Sequence, residues 1–240
     1  YLEGEPFSQT ELTYGLKKGI ASGTIVPVLL GAPTSGIGAK ELLNAVVDYM
    51  PSPAEIADAP ATITSSKEEL SLLCNADGPV AALVFKTSAD PFVGKLSYFR
   101  VYSGTFKSNS QVWNASQDES ERVGQVYELR GKSQEAISQL VAGDIGAVAK
   151  LTSALTSHTL CAREQPVILP GLEFPGPVHY MAVYPKTKAD VDKMTTSLAR
   201  ISEEDPSLEV TREPDTLEVL LGGLGDTHVE VAAEKIKRKF

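Results

Sequence analysis

The sequence predicts a multidomain chain, mainly β plus α/β, in which a central antiparallel β-barrel follows a partial α/β segment and precedes an α+β domain. Three patterns predict this arrangement: helices around one apolar run over residues 8–50, closely spaced apolar runs between residues 78 and 166, and a return of helical periodicity after residue 174. The length of 240 residues can hold more than one domain, and the apolar share of 42% is enough for real cores.

Residues 1–53 predict an incomplete α/β unit. Ser8 and Glu11 have the spacing of a capping box, and apolar residues then recur every four positions, which predicts a helix. Residues 25–30, IVPVLL, predict a short buried strand that its proline makes irregular. A glycine-rich loop and a second amphipathic helix follow. Because one strand is not a sheet, we expect this unit to dock on other sequence.

Residues 54–77 are rich in Ala, Pro, Thr and Ser and predict a linker. Residues 78–166 then predict the barrel, because short apolar runs separated by turn residues are typical of closed antiparallel barrels. The pattern also allows a short helix near residues 135–140. The predicted strands cover residues 80–87, 96–103, 111–114, 121–129 and 145–151, with a last one near 160–161.

Residues 167–176 predict a second linker, and residues 177–240 predict a third domain of order βαββα. Thr187 and Asp190 have capping-box spacing before its first helix, which ends at Pro206, and Asp226 is placed to cap its second helix. One more strand would complete a ferredoxin-like layer, so we expect this domain to be incomplete. The carboxylates at residues 203–205 end the first helix, and we expect them to be solvated rather than catalytic.

The net charge of −9 is distributed unevenly. Residues 1–77 carry −6, residues 78–166 carry +1 and residues 167–240 carry −4. Phosphate neutralisation needs clustered cations, so the overall balance argues against a general nucleic-acid binder, and DNA is not an expected partner. No apolar run approaches the roughly 18 residues that a membrane span needs. We therefore expect a cytoplasmic protein, excised from something longer, that does not contact a membrane.

One ordered series of motifs resembles a known family. The stretch DPFVGKLSYFRVYSG from Asp90 onward resembles the start of the β-barrel domain that follows the GTPase domain in elongation factor G. The resemblance continues, in the order of that family, through ERVG at 121–124, AGDI at 142–145, EFP at 173–175, PKTKAD at 185–190 and EEDP at 203–206. It implies a barrel of the translation-protein type, a ferredoxin-like third domain, and the tail of a GTPase domain in residues 1–53.

The residues that bind and hydrolyse GTP are not in this sequence. The phosphate-binding motif GxxxxGK[ST] fails at GAPTSG, because Ile37 stands where the lysine is needed, and no NKxD motif occurs. We expect no catalytic residue and no cofactor for this chain, whereas the resemblance implies GTP and Mg in the full-length parent. By resemblance, Gly31, Ala32 and Pro33 match a loop that touches guanine; Pro33 offers no amide, but Ala32 keeps one. The three histidines are too scattered for a metal site.

The resemblance also implies partners: the ribosome, through ribosomal RNA and proteins, and the upstream GTPase domain of the same parent chain. Cations of the near-neutral middle segment suit phosphate groups, although they could equally keep a barrel soluble. The candidate RNA contacts are Lys95, Arg100, Lys107, Arg122, Arg130 and Lys132. The function expected from this is docking and conformational relay during translocation. The alternatives to this function are that the parent is a ribosomal protection GTPase or a divergent elongation factor paralogue, or that the chain is a non-ribosomal barrel that binds protein.

Overall fold

The computed structural model describes residues 6–56, 58–90, 94–131 and 133–239. The chain divides into two compact units, Tyr1–Ala57 and Asp58–Phe240. Every helix of the described residues is too short or too polar to cross a membrane.

The described part of the first unit contains two α-helices, α1 (Gln9–Ala21) and α2 (Ala39–Tyr49), and a short 3₁₀ helix at Pro53–Glu55. The predicted capping box starts α1: the amide of Glu11 donates to the Ser8 hydroxyl at 3.3 Å, and the amide of Ser8 donates to the Glu11 carboxylate at 2.8 Å. These bonds satisfy donors at the helix start that have no partner within the helix.

The strand predicted over residues 25–30 is wrong. This segment has irregular backbone and pairs with no strand of the described residues. Val26, Val28 and Leu30 are 79%, 85% and 88% exposed. A strand needs a neighbour to receive its hydrogen bonds, and the proline at position 27 removes a donor as well.

The middle of the chain is an antiparallel β domain, as predicted. The strands are β1 (Ala59–Ile63), β2 (Glu69–Leu72), β3 (Ala81–Asp90), β4 (Gly94–Ser103), β5 (Thr105–Lys107), β6 (Gln111–Asn114), β7 (Glu119–Arg122), β8 (Val126–Arg130), β9 (Ser133–Ile137), β10 (Gln139–Val141), β11 (Ile145–Ala149), β12 (Thr159–Cys161) and β13 (Val167–Ile168). The largest sheet has the order β7-β6-β12-β3-β4-β11-β8-β9, and β5 pairs separately with β10.

Strands β3 to β12 enclose an apolar core, and we call this part of the chain the barrel domain. Phe99 of β4, Phe106 of β5 and Leu160 of β12 are each 0% exposed, and the two phenylalanine rings lie 4.4 Å apart between centroids. Successive residues of a strand face opposite sides. Phe99 and Val101 therefore face the core, while Arg100 lies on the outside of the same strand.

Three local predictions are corrected here. Residues 54–77, expected as a linker, contain β1 and β2, which form a separate sheet with β13 from the second expected linker. Leu72 and Val167 are buried beneath it with Cys161 of the barrel domain. Residues 135–140 lie in β9 and β10 rather than in a helix. The strand predicted over 121–129 is divided into β7 and β8, because residues 123–125 leave the ladder.

The third domain has the predicted order βαββα: β14 (His179–Val183), α3 (Val191–Glu204), β15 (Glu209–Arg212), β16 (Val219–Gly223) and α4 (Asp226–Lys239). The sheet order is β14-β16-β15, all antiparallel, which is the ferredoxin-like arrangement of these strands. Leu198 and Ile201 of α3 pack with Leu221 of β16 and Val229 of α4.

The acidic end of α3 differs from the prediction that it is solvated. The side chain of Glu204 is only 4% exposed. Its carboxylate lies between the barrel domain and α4, where it accepts from the amide of Ala89 and pairs with Lys235 and Lys239.

Candidate nucleic-acid interface

One groove on the barrel domain combines two cations with an aromatic side chain. Its volume is about 420 Å³. It is lined by Arg122, Gly124, Gln125, Tyr127, Ala149, Lys150 and Thr152. Cationic side chains neutralise phosphates and aromatic rings stack on bases, so this combination is typical of nucleic-acid binding. We call it the Arg122 groove.

Strand alternation brings Arg122 and Tyr127 to the groove. Their neighbours Glu121 and Val126 are 1% and 0% exposed, so Arg122 and Tyr127 lie on the opposite, outer side of the strands. Tyr127 of β8 pairs with Ala147 of β11. The end of β11, and with it the lysine that follows, is therefore placed beside β8.

Glu121 fixes the other wall of the groove. Its carboxylate accepts from the amides of Thr152 at 2.7 Å, Ser153 at 2.9 Å and Ala154 at 3.1 Å, and from the Ser153 hydroxyl at 2.7 Å. A loop that follows β11 is thereby held against β7. Since Lys150 comes just before this loop, the position of its side chain relative to Arg122 depends on Glu121.

The electrostatics favour an anionic ligand. Burial alone would raise the pKa of Glu121, but the amide of Thr152 and the other donors outweigh it and hold that pKa below the ordinary value of 4.5. The carboxylate is therefore charged at neutral pH, and its charge is directed at the loop amides. Within the described part of the chain, neither Arg122 nor Lys150 takes part in an ion pair, and both are exposed.

Lys150 has an uncommon backbone conformation. Its φ is 60°, in the left-handed region that residues other than glycine rarely adopt. Its amide donates to the carbonyl oxygen of Lys95 at 2.8 Å, which holds the residue in place. Such local strain often marks positions where a side chain must be presented in one direction.

Of the five predicted RNA contacts that the structure describes, only Arg122 lies in the groove. Lys95 is 19% exposed and lies 3.6 Å from the carboxylate of Glu203 in the third domain. The guanidinium of Arg100 lies 5.2 Å from the centre of the Tyr102 ring, where a cation–π contact forms.

The remaining three candidates have different surroundings. Arg130 pairs with Glu135 at 3.2 Å across the β8–β9 hairpin, which lowers its value as a phosphate ligand. Lys107 is exposed and lines a second, polar groove of about 540 Å³. Lys132 lies outside the described residues.

Sequence reasoning missed Lys150 and Tyr127. Residue 150 was assigned to the end of a strand, and no local pattern relates it to Arg122. The two become neighbours only through the β8–β11 ladder and the bonds of Glu121 to residues 152–154. A buried glutamate directly before an exposed arginine was the available signal, but burial of Glu121 cannot be recognised before the fold is known.

The loop predicted to touch guanine is already closed on itself. The amide of Ala32, the donor on which that interpretation depended, donates to the carbonyl of Ile37 at 2.9 Å. Pro33 has no amide, and Gly31 lies against the backbone of Ile37. Ala32 and Pro33 therefore offer no free amide to a base in this conformation.

The fold does bring Ser207, Asp205 and His228 together, which the sequence did not predict. The order of their contacts excludes a catalytic arrangement in which Ser207 would be an activated nucleophile. Asp205 lies in the centre, accepting from the Ser207 hydroxyl at 2.5 Å and from His228 Nε2 at 3.0 Å. His228 Nδ1 accepts from the Leu224 amide at 3.0 Å, so no ring nitrogen is left to take a proton from serine. The cluster joins the end of α3 to the start of α4.

Two family models match the chain. Residues 79–163 match elongation factor G domain 2, and residues 174–240 match elongation factor G domain III. The fold is also similar to that of a protein from Thermus thermophilus whose crystal structure is known. The two structures compare with a TM-score of 0.78, and the two sequences are 29% identical. That match covers 99% of this chain and 33% of the other, so this chain spans a third of the length of the protein it resembles.

A β-barrel domain followed by a ferredoxin-like domain, in this order and with these matches, defines a class of protein: a multidomain translation factor. Within that class the chain is of the elongation factor G-like type, of which it carries domains 2 and III.

Proposed function

We propose that this chain is the ribosome-docking and conformational-relay part of an elongation factor G-like GTPase that acts in elongation, at the translocation of tRNA and mRNA. The observation that carries the proposal is the Arg122 groove, which lies on the domain that matches domain 2. Two unpaired cations beside an aromatic ring are suited to the phosphates and bases of ribosomal RNA.

Docking through phosphates has to overcome the charge of the chain, which is −9. Long-range attraction is therefore weak, and contact depends on local cations at close range. Binding of this kind weakens as salt rises, because each neutralised phosphate releases counterions. Salt dependence is thus the measurable property of the proposed interface.

The chemistry of the parent factor would lie outside this chain. We propose that GTP and Mg are bound and hydrolysed by an upstream GTPase domain, that the domains described here respond to it, and that the factor works in the cytoplasm. In the 31–33 loop the Ala32 amide is bonded to Ile37 and Pro33 has no amide, and the phosphate-binding motif is absent from the sequence. A titration with labelled GTP tests this division: micromolar binding by the chain alone would contradict it.

Sedimentation with purified ribosomes tests docking. We expect the chain to bind at low salt and to dissociate as salt rises. In the Arg122→Gln/Lys150→Gln variant we expect weaker binding and a slope of log K against log salt that is smaller by about 1.4 to 1.8, since each phosphate contact contributes about 0.7 to 0.9. The matched control is Arg130→Gln/Lys237→Gln, which removes the same charge from cations already paired with Glu135 and Glu234.

The outcomes separate the alternatives. If both double variants lose affinity equally, the groove is not the contact, although docking stands. If the unmodified chain shows no salt-sensitive association, docking fails and a barrel that binds protein becomes the better interpretation.

A further inference from the structure

The carboxylate of Glu204 is a buried charged group at the junction of the barrel domain and the third domain. Its side chain is 4% exposed. One oxygen accepts from the amide of Ala89 in β3 and contacts Lys239, and the other lies 2.7 Å from the ammonium of Lys235. A single side chain of α3 therefore contacts a barrel strand and helix α4 at the same time.

The position of this carboxylate contradicts local helix preferences. The C-terminal end of a helix carries partial negative charge and favours cations, yet the last turn of α3 contains Glu203 and Glu204 and no basic residue. Burying a carboxylate is also costly unless it is paired and hydrogen-bonded. A local arrangement that is unfavourable by itself indicates that its neighbours stabilise it.

Three cations from outside α3 lie close to these carboxylates. Lys95 of the barrel domain lies 3.6 Å from Glu203. Lys235 and Lys239 are four residues apart in α4, so they lie on one face and reach the same carboxylate. Burial raises the pKa of Glu204, but Lys235, Lys239 and the Ala89 amide outweigh it and the net shift is downward, so the group is charged at neutral pH.

The barrel side of the contact is a strand end that needs a partner. β12 pairs only with the first part of β3, where Ala81 lies opposite Cys161 and Leu83 lies opposite Thr159. Ala89 lies near the other end of β3, opposite Lys95 of β4. The amide of Ala89 donates to Glu204 instead of to a strand. A backbone donor that is removed from water must be satisfied, so separating the domains would require water to replace this carboxylate.

We infer that Glu204 is an ionic latch, which fixes the third domain on the barrel domain through the Ala89 amide and through Lys235 and Lys239 of α4. The latch makes β3, α3 and α4 move as one body. A displacement of the barrel domain would then move α4 as well, because no flexible segment would absorb the motion between them. This inference does not depend on ribosome binding and can fail or hold independently of the proposed function.

The test compares Glu204→Gln with Glu234→Gln in the full 240-residue chain. Glu234 pairs with Lys237 on the exposed side of the same helix α4, at 2.6 Å, and is the matched control. In Glu204→Gln we expect amide exchange at Ala89 to rise about ten-fold or more, because a charge-assisted bond is lost, while the Phe99 amide of the barrel core is unchanged. We also expect ¹⁵N relaxation to show faster tumbling of the third domain than in the unmodified chain.

A second variant keeps the test decisive if Glu204→Gln fails to fold. Lys235→Gln/Lys239→Gln removes the cations from the exposed helix and should raise exchange at Ala89 in the same way. Combining both changes should add little, since they break one network. Equal exchange at Ala89 in Glu204→Gln and Glu234→Gln, with one tumbling time for both domains, would overturn the latch.

Discussion

The barrel domain and the first unit contain similar patterns of apolar residues, but these residues are buried in the barrel domain and mostly exposed in the first unit. In the barrel domain Phe99 and Leu160 are 0% exposed. In the described part of the first unit only Ala45 is buried, while Leu12 and Leu43, both on predicted helix stripes, are 45% and 66% exposed. An amphipathic pattern therefore shows that a helix has an apolar face that can pack. This face stabilises the helix only where another surface covers it.

The same difference holds for the hydrogen bonds. The backbone groups of the barrel strands bond to strands that are distant in the sequence, as β3 does to β12. The first unit relies mostly on bonds between near neighbours, such as Ser8 with Glu11. Local bonds at exposed sites are easily replaced by water, so we expect the stability of this chain to reside in the barrel domain.

The largest expected effect is on the barrel core. Phe99→Ala should lower the free energy of unfolding by about 3–5 kcal/mol, because it leaves a cavity in a fully packed site. Leu12→Ala, in the first unit, should change it by less than about 0.5 kcal/mol. Urea denaturation followed by the fluorescence of Trp113, the single tryptophan, reports on the barrel domain. Similar losses in both variants would remove the contrast between the two regions.

The second effect concerns the buried carboxylate of Glu121. Glu121→Ala should destabilise the barrel domain by about 2–4 kcal/mol at pH 7, because loop amides at residues 152–154 lose their acceptor inside the protein. Glu121→Gln keeps the shape and one acceptor, so a smaller loss is expected. The same urea experiment, in parallel for both variants, measures this difference.

The pH dependence of Glu121 has a definite sign. Its pKa in the folded protein is below the ordinary value of 4.5, so its contribution is fully present above pH 4.5 and is lost as the pH falls through the lower, folded pKa. The stability gap between the unmodified chain and Glu121→Gln should therefore shrink under acid. A gap that stays constant down to about pH 3 would show that the charge of Glu121 is not what holds the loop.

Periodicity predicted the barrel and the βαββα domain because their apolar residues are regularly spaced and buried within the chain itself. It failed at residues 25–30, where an apolar run has no strand to pair with among the described residues, and at residues 59–72, where small residues resembled a linker but form β1 and β2. In both places the outcome depends on what lies opposite the segment, which is a long-range property.

The candidate site was predicted only in part, for the same reason. Arg122 was identified from its charge, but Lys150 and Tyr127 join it through pairing between distant strands. Glu204 was misjudged because acidic residues at a helix end are usually solvated, and its three partners come from residues 89, 235 and 239. Charge can be read from a sequence, but the burial of a charge depends on the fold.

The smallest effect tests how the first unit is held. The ammonium of Lys17 in α1 lies 2.6 Å from the carboxylate of Glu55, and this bond, with the Ser52 amide and hydroxyl, lowers the pKa of Glu55 to about 2. In Lys17→Met that pKa should rise toward 4.5 but stay below it, since the Ser52 bonds remain. ¹³C NMR titration of the glutamate carboxyl groups measures it.

Glu11 is the internal control for this titration, because Ser8 lowers its pKa without help from a lysine. Its pKa should be the same in the unmodified chain and in Lys17→Met. The side chains of Lys17 and Glu55 are 32% and 47% exposed, so solvent screens the pair and it contributes little to folding. A Glu55 pKa that is the same in the unmodified chain and in Lys17→Met would mean that this long-range tether of the first unit does not form in solution, which would deepen its contrast with the barrel domain.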